Sequence, residues 1–349
     1  MHCHLVIPHL FWPTSADDPS GASPWTDLRL PSLERLLARA RLEVTGSAPL
    51  QAWAAGQFGL DGKALPLGPW QLLGEGIDPG THTWVCLTPM PLEAGARQVM
   101  HAAGSPIDLA PPDAERLVAT LNEHLADDGI EIVSPHPMRW YARCASADFH
   151  AAPPPVAGAV LTEASLPRGP DGARWRRLLT EMQMLLHDHP VNEAREARGQ
   201  RAINALWAWG AGQMHALPPR SPETWATDDP LLRGLARATA AGQAPSTAQS
   251  NATRVPAARL DWIHADAAAR AVRAGDAATW RKALHEIDAG PVRERLQALR
   301  AGTIGMLTLH AIGDTETLRA EITRHDLRRF WRRDRPLEHY LAATEGVER

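Results

Sequence analysis

Residues 187–212 read HDHPVNEAREARGQRAINALWAWGAG, a run that threads fixed polar residues through a helix end, a turn and an apolar strand. Upstream of it, Trp175, Leu178, Leu179, Met182, Met184, Leu185 and Leu186 recur at helical spacing. Pro190 lacks an amide donor and clashes with the preceding turn, so the helix is expected to end there. An apolar strand, Ile203 to Trp209, follows at once, and Gly210 and Gly212 permit a sharp turn beyond it. His187 and His189 thereby fall at a helix C-terminus, where the helix dipole favours imidazolium. A structural or phosphate-binding role and a metal-ligand role are both open to them, but two histidines without a carboxylate cluster are a weak metal signal.

Working outward, the chain has 349 residues, 44% of them apolar, and a net charge of −4, enough for two domains with separate cores. This balance excludes a disordered chain and argues against a broad nucleic-acid binder. Lys63 and Lys282 are the only lysines, so arginine carries almost all the positive charge. Cys3, Cys86 and Cys144 are odd in number and lack CxxC spacing, which argues against a disulfide framework and a zinc knuckle. The N-terminus has no basic n-region, and no window reaches the roughly 18 apolar residues of a membrane span. The expectation is a protein of the reduced cytoplasm, with no membrane partner.

An α/β organisation is expected. Leu5-Val6-Ile7 reads as a buried strand, and Pro31-Ser32 opens a helix through Leu33, Leu36 and Leu37. Thr83 to Leu87 is a strand, Pro111-Pro112 opens a helix, and Ile130 to Val133 and Trp140 to Cys144 alternate like strands around Pro135-His136-Pro137. Pro153-Pro154-Pro155 suggests a stiff hinge. Residues 239–258 are a low-complexity loop. Ala277 to Arg300 reads as a helix interrupted at Gly290-Pro291, Met306 to Ile312 as a core strand, and Leu318 to Arg333 as a final helix.

The run from His189 to Gly212, with His-Pro-Val-Asn, Arg195, Gly199, Asn204, Trp207, Trp209, Gly210 and Gly212, resembles the archaeal-type cofactor-independent phosphoglycerate mutases of the alkaline-phosphatase-like superfamily. Ala114-Glu115 to Asn122 and Tyr141 to Arg143 resemble a helix and a Tyr-Arg strand of that family's cap. The resemblance implies a phosphomutase core with a mainly parallel sheet flanked by helices, made of residues 1–90 and 166–349. It also implies a small inserted α+β cap, 91–165, with a substrate site between the lobes.

That family's chemistry uses two divalent metals and a Ser or Thr nucleophile, because an alkoxide must attack a dianionic phosphate. The family's first strand ends in Asp-Gly-x-x-Asp, whereas this one runs into Pro8-His9-Leu10-Phe11-Trp12. The ligand pattern His-x4-Asp-x3-His-x2-Asp, started at His264, falls on Ala269, Arg273 and Asp276, and Asp288 stands where the following helix should end in Ile-Asp. Alanine cannot ligate, and arginine brings a fixed cation. The family's later Asp-His pair reduces to His310, and its nucleophile has no counterpart around Leu65-Pro66-Leu67 or Ile77-Asp78-Pro79. Catalytic residues, metals and cofactors are therefore expected to be absent. The chain is similar to bacterial regulatory proteins of the pathogenicity-factor E (RpfE) type, degenerate relatives of the mutases, through Leu10 to Pro13, His189 to Arg195 and Arg329 to Arg333. The alternative is an active mutase or phosphatase with displaced ligands.

Arg139 and Arg143 on the Tyr-Arg strand, with His189, Asn192 and Arg195 opposite, are the candidate ligand-binding residues, since arginine's planar fork suits the phosphate or carboxylate of a small metabolite. Residues 324–335 pack six arginines around Phe330 and Trp331, a helix that would grip an acidic protein partner or nucleic acid or simply face solvent, the net negative charge of the chain speaking against nucleic acid. Met1-His2-Cys3-His4 carries soft and imidazole ligands, but a mobile terminus that takes up only adventitious metal is expected there rather than a physiological metal site.

Overall fold

The computed structural model describes residues 1–13, 24–25, 27–46, 49–60, 65–94, 99–101, 107–155, 160–217, 224–241, 262–313, 316–329 and 331–340. Its strands are β1 (His2–Pro8), β2 (Arg41–Gly46), β3 (Thr83–Met90), β4 (Leu92–Ala94), β5 (Val99–His101), β6 (Glu131–His136), β7 (Arg139–Cys144), β8 (Ala205–Gly212), β9 (Trp225–Ala226), β10 (Trp262–His264), β11 (Met306–Ile312) and β12 (Glu316–Thr323). Its helices are α1 (Pro31–Arg39), α2 (Leu50–Gln57), α3 (Leu67–Glu75), α4 (Pro111–Leu125), α5 (Gly172–His187), α6 (Pro190–Ala197), α7 (Pro230–Ala241), α8 (Ala267–Arg273), α9 (Ala277–Ile287) and α10 (Arg293–Ala301).

Two compact units result, Met1–Lys63 with Leu217–Arg349, and Ala64–Ala216. The first is the α/β unit. Its sheet runs β2-β12-β11-β1-β10-β9, parallel through β11, β1, β10 and β9 and antiparallel on both sides of β12. Alternation along β1 and β11 sends Cys3, Leu5, Ile7, Leu307 and Leu309 into one core with Leu33, Leu36, Trp280, Leu284 and Leu296 from α1, α9 and α10. The helical stretch 277–301 is interrupted as expected, by one π turn at Asp288–Val292 containing Pro291. Asp288, buried in that turn, accepts the Leu33 amide at 2.7 Å and so caps α1 from a distance of 255 residues in sequence.

The second unit carries the antiparallel sheet β6-β7-β3-β8, with α3, α4, α5 and α6 around it and the small β4–β5 hairpin. Gly68 lets α3 approach the sheet closely, because a Cβ there would lie 2.8 Å from the Trp84 carbonyl oxygen. This second unit is continuous in sequence, Ala64–Ala216, and residues 91–165 make up only part of it. β3 and β8 are its central and edge strands, paired with each other from Met90↔Ala205 to Trp84↔Gly212, so the segments on both sides of the expected insert belong to one sheet.

Several expectations need correction. Leu318 to Arg333 is not a helix: Leu318, Ala320 and Ile322 alternate with Arg319, Glu321 and Thr323 at a period of two, and β12 follows that alternation. Residues 324–335 continue as turns around a short 3-10 segment, Asp326–Arg328, and Phe330 lies outside the described residues. Pro153–Pro155 lies inside the second unit and is tied down there, by Trp207 Nε1 donating to Ala152 O at 2.8 Å and by His101 Nδ1 at 3.0 Å from Pro155 O. Met184 points to solvent, while Trp175, Leu178, Met182 and Leu186 form the buried stripe of α5. Most of the low-complexity loop lies outside the described residues. Among the described residues no helix is long and apolar enough to cross a membrane.

Asp288→Ala should leave the Leu33 amide buried without its acceptor and cost about 1–3 kcal/mol. Urea unfolding of the two proteins should show the change as a lower midpoint at equal slope.

Candidate functional site

The carboxyl ends of parallel strands are where α/β sheets usually bind ligands. Here that edge is formed by the ends of β1, β9, β10 and β11, and the side chains there hold structural hydrogen bonds. Beyond β9, Thr227 Oγ1 lies 3.1 Å from His264 Nδ1, and Asp229 caps α7 by accepting the Leu232 amide at 3.0 Å. Asp276 caps α9, accepting the Thr279 amide and hydroxyl at 2.9 and 2.6 Å. Ala269 is buried in α8, and Arg273 ends that helix exposed. After β1, His9 presents its carbonyl to the Trp280 indole at 2.9 Å. The donor set a dimetal centre would need does not fit these residues: one position is a methyl group, one a cation, and Asp276 and Asp288 are both helix caps. Among the described residues no group of three or more His, Cys, Asp or Glu side chains is disposed to hold a metal ion. His264 is the exception in character. It is buried, its Nε2 has no hydrogen-bond partner among the described residues, and burial holds its pKa low against the opposing pull of Asp229 and Asp266.

In the second unit the five sequence-derived candidates separate into two groups. His189 is not at the end of α5. It is the N-cap of α6, its Nδ1 accepting the Val191 amide at 3.1 Å and its Nε2 lying 3.0 Å from Thr120 Oγ1, with Pro190 in the first turn. Pro190 therefore opens a helix as well as closing one. Burial, and to a smaller degree Arg116, lowers the His189 pKa. Asn192, 1% exposed, donates to Leu186 O at 2.6 Å and Ile203 O at 2.9 Å and accepts the Ile203 amide at 2.8 Å. Arg195, also buried, donates to Arg201 O and Asp108 O, both at 2.9 Å. Asn192 and Arg195 thus hold the chain between α5, α6 and β8.

The β7 arginines are paired elsewhere. Arg139 bonds Glu75 of α3 at 2.5 Å, and Arg143 bonds the exposed Glu131 of β6. No hydrogen bond or ion pair among the described residues links them to His189, Asn192 or Arg195. Arg143 is the most open of the five, its side chain 43% exposed. Cys86 and Cys144 are buried thiols, the first pushed up strongly and the second to about 11, chiefly by burial, so neither is a ready nucleophile.

Sequence reasoning missed a histidine cluster. The N-terminus is a strand, not a mobile tail: His2 Nε2 is 2.8 Å from Thr308 Oγ1, and His4 Nδ1 is 3.0 Å from His310 Nε2 while stacking on Trp262. The signal was the alternation H-C-H-L-V-I, with histidines on the sheet face opposite to Cys3 and Leu5. Burial drives His4 down to about 3 and His310 to about 4, with neighbouring His2 and Arg319 adding to both.

No protein-family model matches the chain. It is 29% identical over 103 residues to the 2,3-bisphosphoglycerate-independent phosphoglycerate mutase of Methanosarcina mazei, a match spanning 29% of this chain and 26% of that protein. Among solved structures it is similar to the PH0037 protein of Pyrococcus horikoshii, with TM-score 0.53 and 14% identity over 92% of this chain and 87% of that one. It is also similar to a cofactor-independent phosphoglycerate mutase from Thermoplasma acidophilum, with TM-score 0.47 and 18% identity over 100% and 96% of the two chains. The sequence match supports a phosphoglycerate-mutase-like fold, and the PH0037 likeness shows a shared architecture over most of both chains.

Two outcomes are expected. Asn192→Ala should cost about 2–4 kcal/mol, from three lost hydrogen bonds of roughly 0.5–1.5 kcal/mol each, whereas Arg143→Ala should cost under about 1 kcal/mol; parallel chemical denaturation compares them. For the histidine cluster, the folded pKa values lie below the unfolded value of 6.5. The unfolded chain therefore takes up protons first on acidification. Stability should be flat above about pH 6.5 and fall between there and about pH 4, by up to about 1.4 kcal/mol per pH unit for each histidine. His4→Gln should flatten that slope in a pH series of melting curves.

Proposed function

We propose that this chain is a catalytically degenerate phosphoglycerate-mutase-like protein of the cytoplasm, with a regulatory or scaffolding role, that senses a small phosphorylated or carboxylated ligand. The observation that carries this reading is the chemistry of the sheet's carboxyl edge. Phosphoryl transfer to an alkoxide needs opposing charge placed at the phosphate, and in this superfamily two divalent ions supply it when bound. In this chain Ala269 and Arg273 stand at two of the positions that would hold them, and Asp276 and Asp288 serve as helix caps. Reverting one side chain would not rebuild the set, because the two aspartates are tied to backbone amides that would lose their acceptors. The resemblance to pathogenicity-factor E proteins supports the regulatory half of the proposal.

A second reading, an active mutase or phosphatase with displaced ligands, is favoured by His264 alone, whose buried Nε2 is unpartnered beside the charges of Asp229 and Asp266. Purified protein supplied with Mn²⁺ or Mg²⁺ and 3-phosphoglycerate distinguishes the two. The proposal expects no conversion to 2-phosphoglycerate and no phosphate release above the protein-free rate. Turnover that disappears in His264→Ala, with the fold intact by circular dichroism, would establish the second reading instead.

A further inference from the structure

A cavity of about 1060 Å³ lies in the first unit but at the opposite edge of its sheet, where β2 and β11 begin and β12 ends. Arg41, Leu42, Met306, Trp331, Arg333 and Tyr340 contribute to its walls. Its volume suits a ligand of metabolite size.

The charge pattern selects the ligand. The cavity's carboxylates are engaged within the protein: Asp334 by Arg35 and Arg39 at 3.5 and 3.6 Å, Asp326 by Arg329 at 2.9 Å, and Glu321 by Arg319 at 2.5 Å. Arg332 donates to Ala40 O at 3.2 Å, and Arg335 is held by His339. Arg41 and Arg333 are exposed, line the cavity, and have no ion-pair partner among the described residues. Two uncommitted guanidinium forks thus face one space, a donor arrangement that matches phosphate oxygens. Trp331 lines the same space and is 66% exposed, a large aromatic side chain within reach of a ligand there. An indole face beside free arginines is the chemistry that holds a base by stacking and its phosphates by charge.

We infer that this cavity binds a nucleoside di- or triphosphate, with the base on Trp331 and the phosphates on Arg41 and Arg333. This site is separate from the carboxyl edge of the sheet, so it stands whether or not the chain retains phosphoryl-transfer activity. It also accounts for the arginine-rich segment 324–335 without a helix, because turns around Asp326–Arg328 bring its side chains to one rim.

Titration calorimetry on the full chain tests it, with ADP, GDP, pyrophosphate and a short single-stranded oligonucleotide as probes. At least one of the two nucleotides should bind, and pyrophosphate more weakly. Trp331→Ala should weaken the nucleotide about five- to a hundred-fold and leave pyrophosphate unchanged. The double variant Arg41→Ala/Arg333→Ala should weaken both at least about tenfold. All three positions are exposed, so unchanged melting curves are expected and keep the comparison interpretable. Binding of neither nucleotide at millimolar concentration, equal binding by all variants, or an oligonucleotide bound more tightly than either nucleotide through the same residues would overturn the assignment.

Discussion

The side-chain amide of Asn192 holds together the stretch from which everything else in the second unit follows. One amide bonds the last turn of α5 through Leu186 O and both backbone groups of Ile203 just before β8. A carboxylate could accept but not donate, and an aliphatic side chain would take away the partner of both backbone groups of buried Ile203, whereas Leu186 O would keep the Asp188 and His189 amides. Two further asparagines repeat the device. Asn204 brackets both backbone groups of Leu92, and Asn122 of α4 brackets those of Ile132 in β6. The helices are thereby fixed to particular residues of the sheet, and β8 is placed for its pairing with β3.

The polar residues that carry the resemblance along 189–212 are nearly all scaffold: His189 caps a helix, Arg195 bonds two carbonyls, Trp207 and Trp209 donate to Ala152 O and Thr88 Oγ1. Such residues persist wherever the fold persists, since each buried polar atom is costly to leave unpaired. Metal ligands and nucleophiles answer to a different constraint, the charge of a reacting group, and the packing of the fold does not fix them. A chain can therefore keep a mutase-like frame while its sheet edge holds Ala269, Arg273 and helix-capping aspartates.

The fold was legible where one hydrophobic period dominated. Leu5 to Ile7, Met306 to Ile312 and the helix with its break at Gly290-Pro291 lie in long apolar patterns, and proline marked the openings of α1 and α4. It was illegible where two periods compete. Leu318, Ile322 and the arginines after them satisfy a helical spacing as well as an alternating one, and only pairing with β11 on one side and β2 on the other decides for the strand. The same tertiary override turned the N-terminal histidines from a tail into a packed face.

The site was less legible than the fold because arginine looks the same in a sequence whether its fork is engaged or open. Arg139, Arg143 and Arg195 drew attention through their neighbours in the chain, yet each is matched in space, by Glu75, Glu131 and two backbone carbonyls. Arg41 carried no motif at all, and it reaches the cavity beside Arg333 because β2 pairs with β12 across 276 residues of sequence, as at Glu43 and Arg319. Recognition chemistry in this protein therefore depends on which cations the fold leaves without a carboxylate. That residue is settled by strand pairing and capping rather than by composition, and it falls at the edge of the sheet where no nucleophile or ligand motif would direct a search.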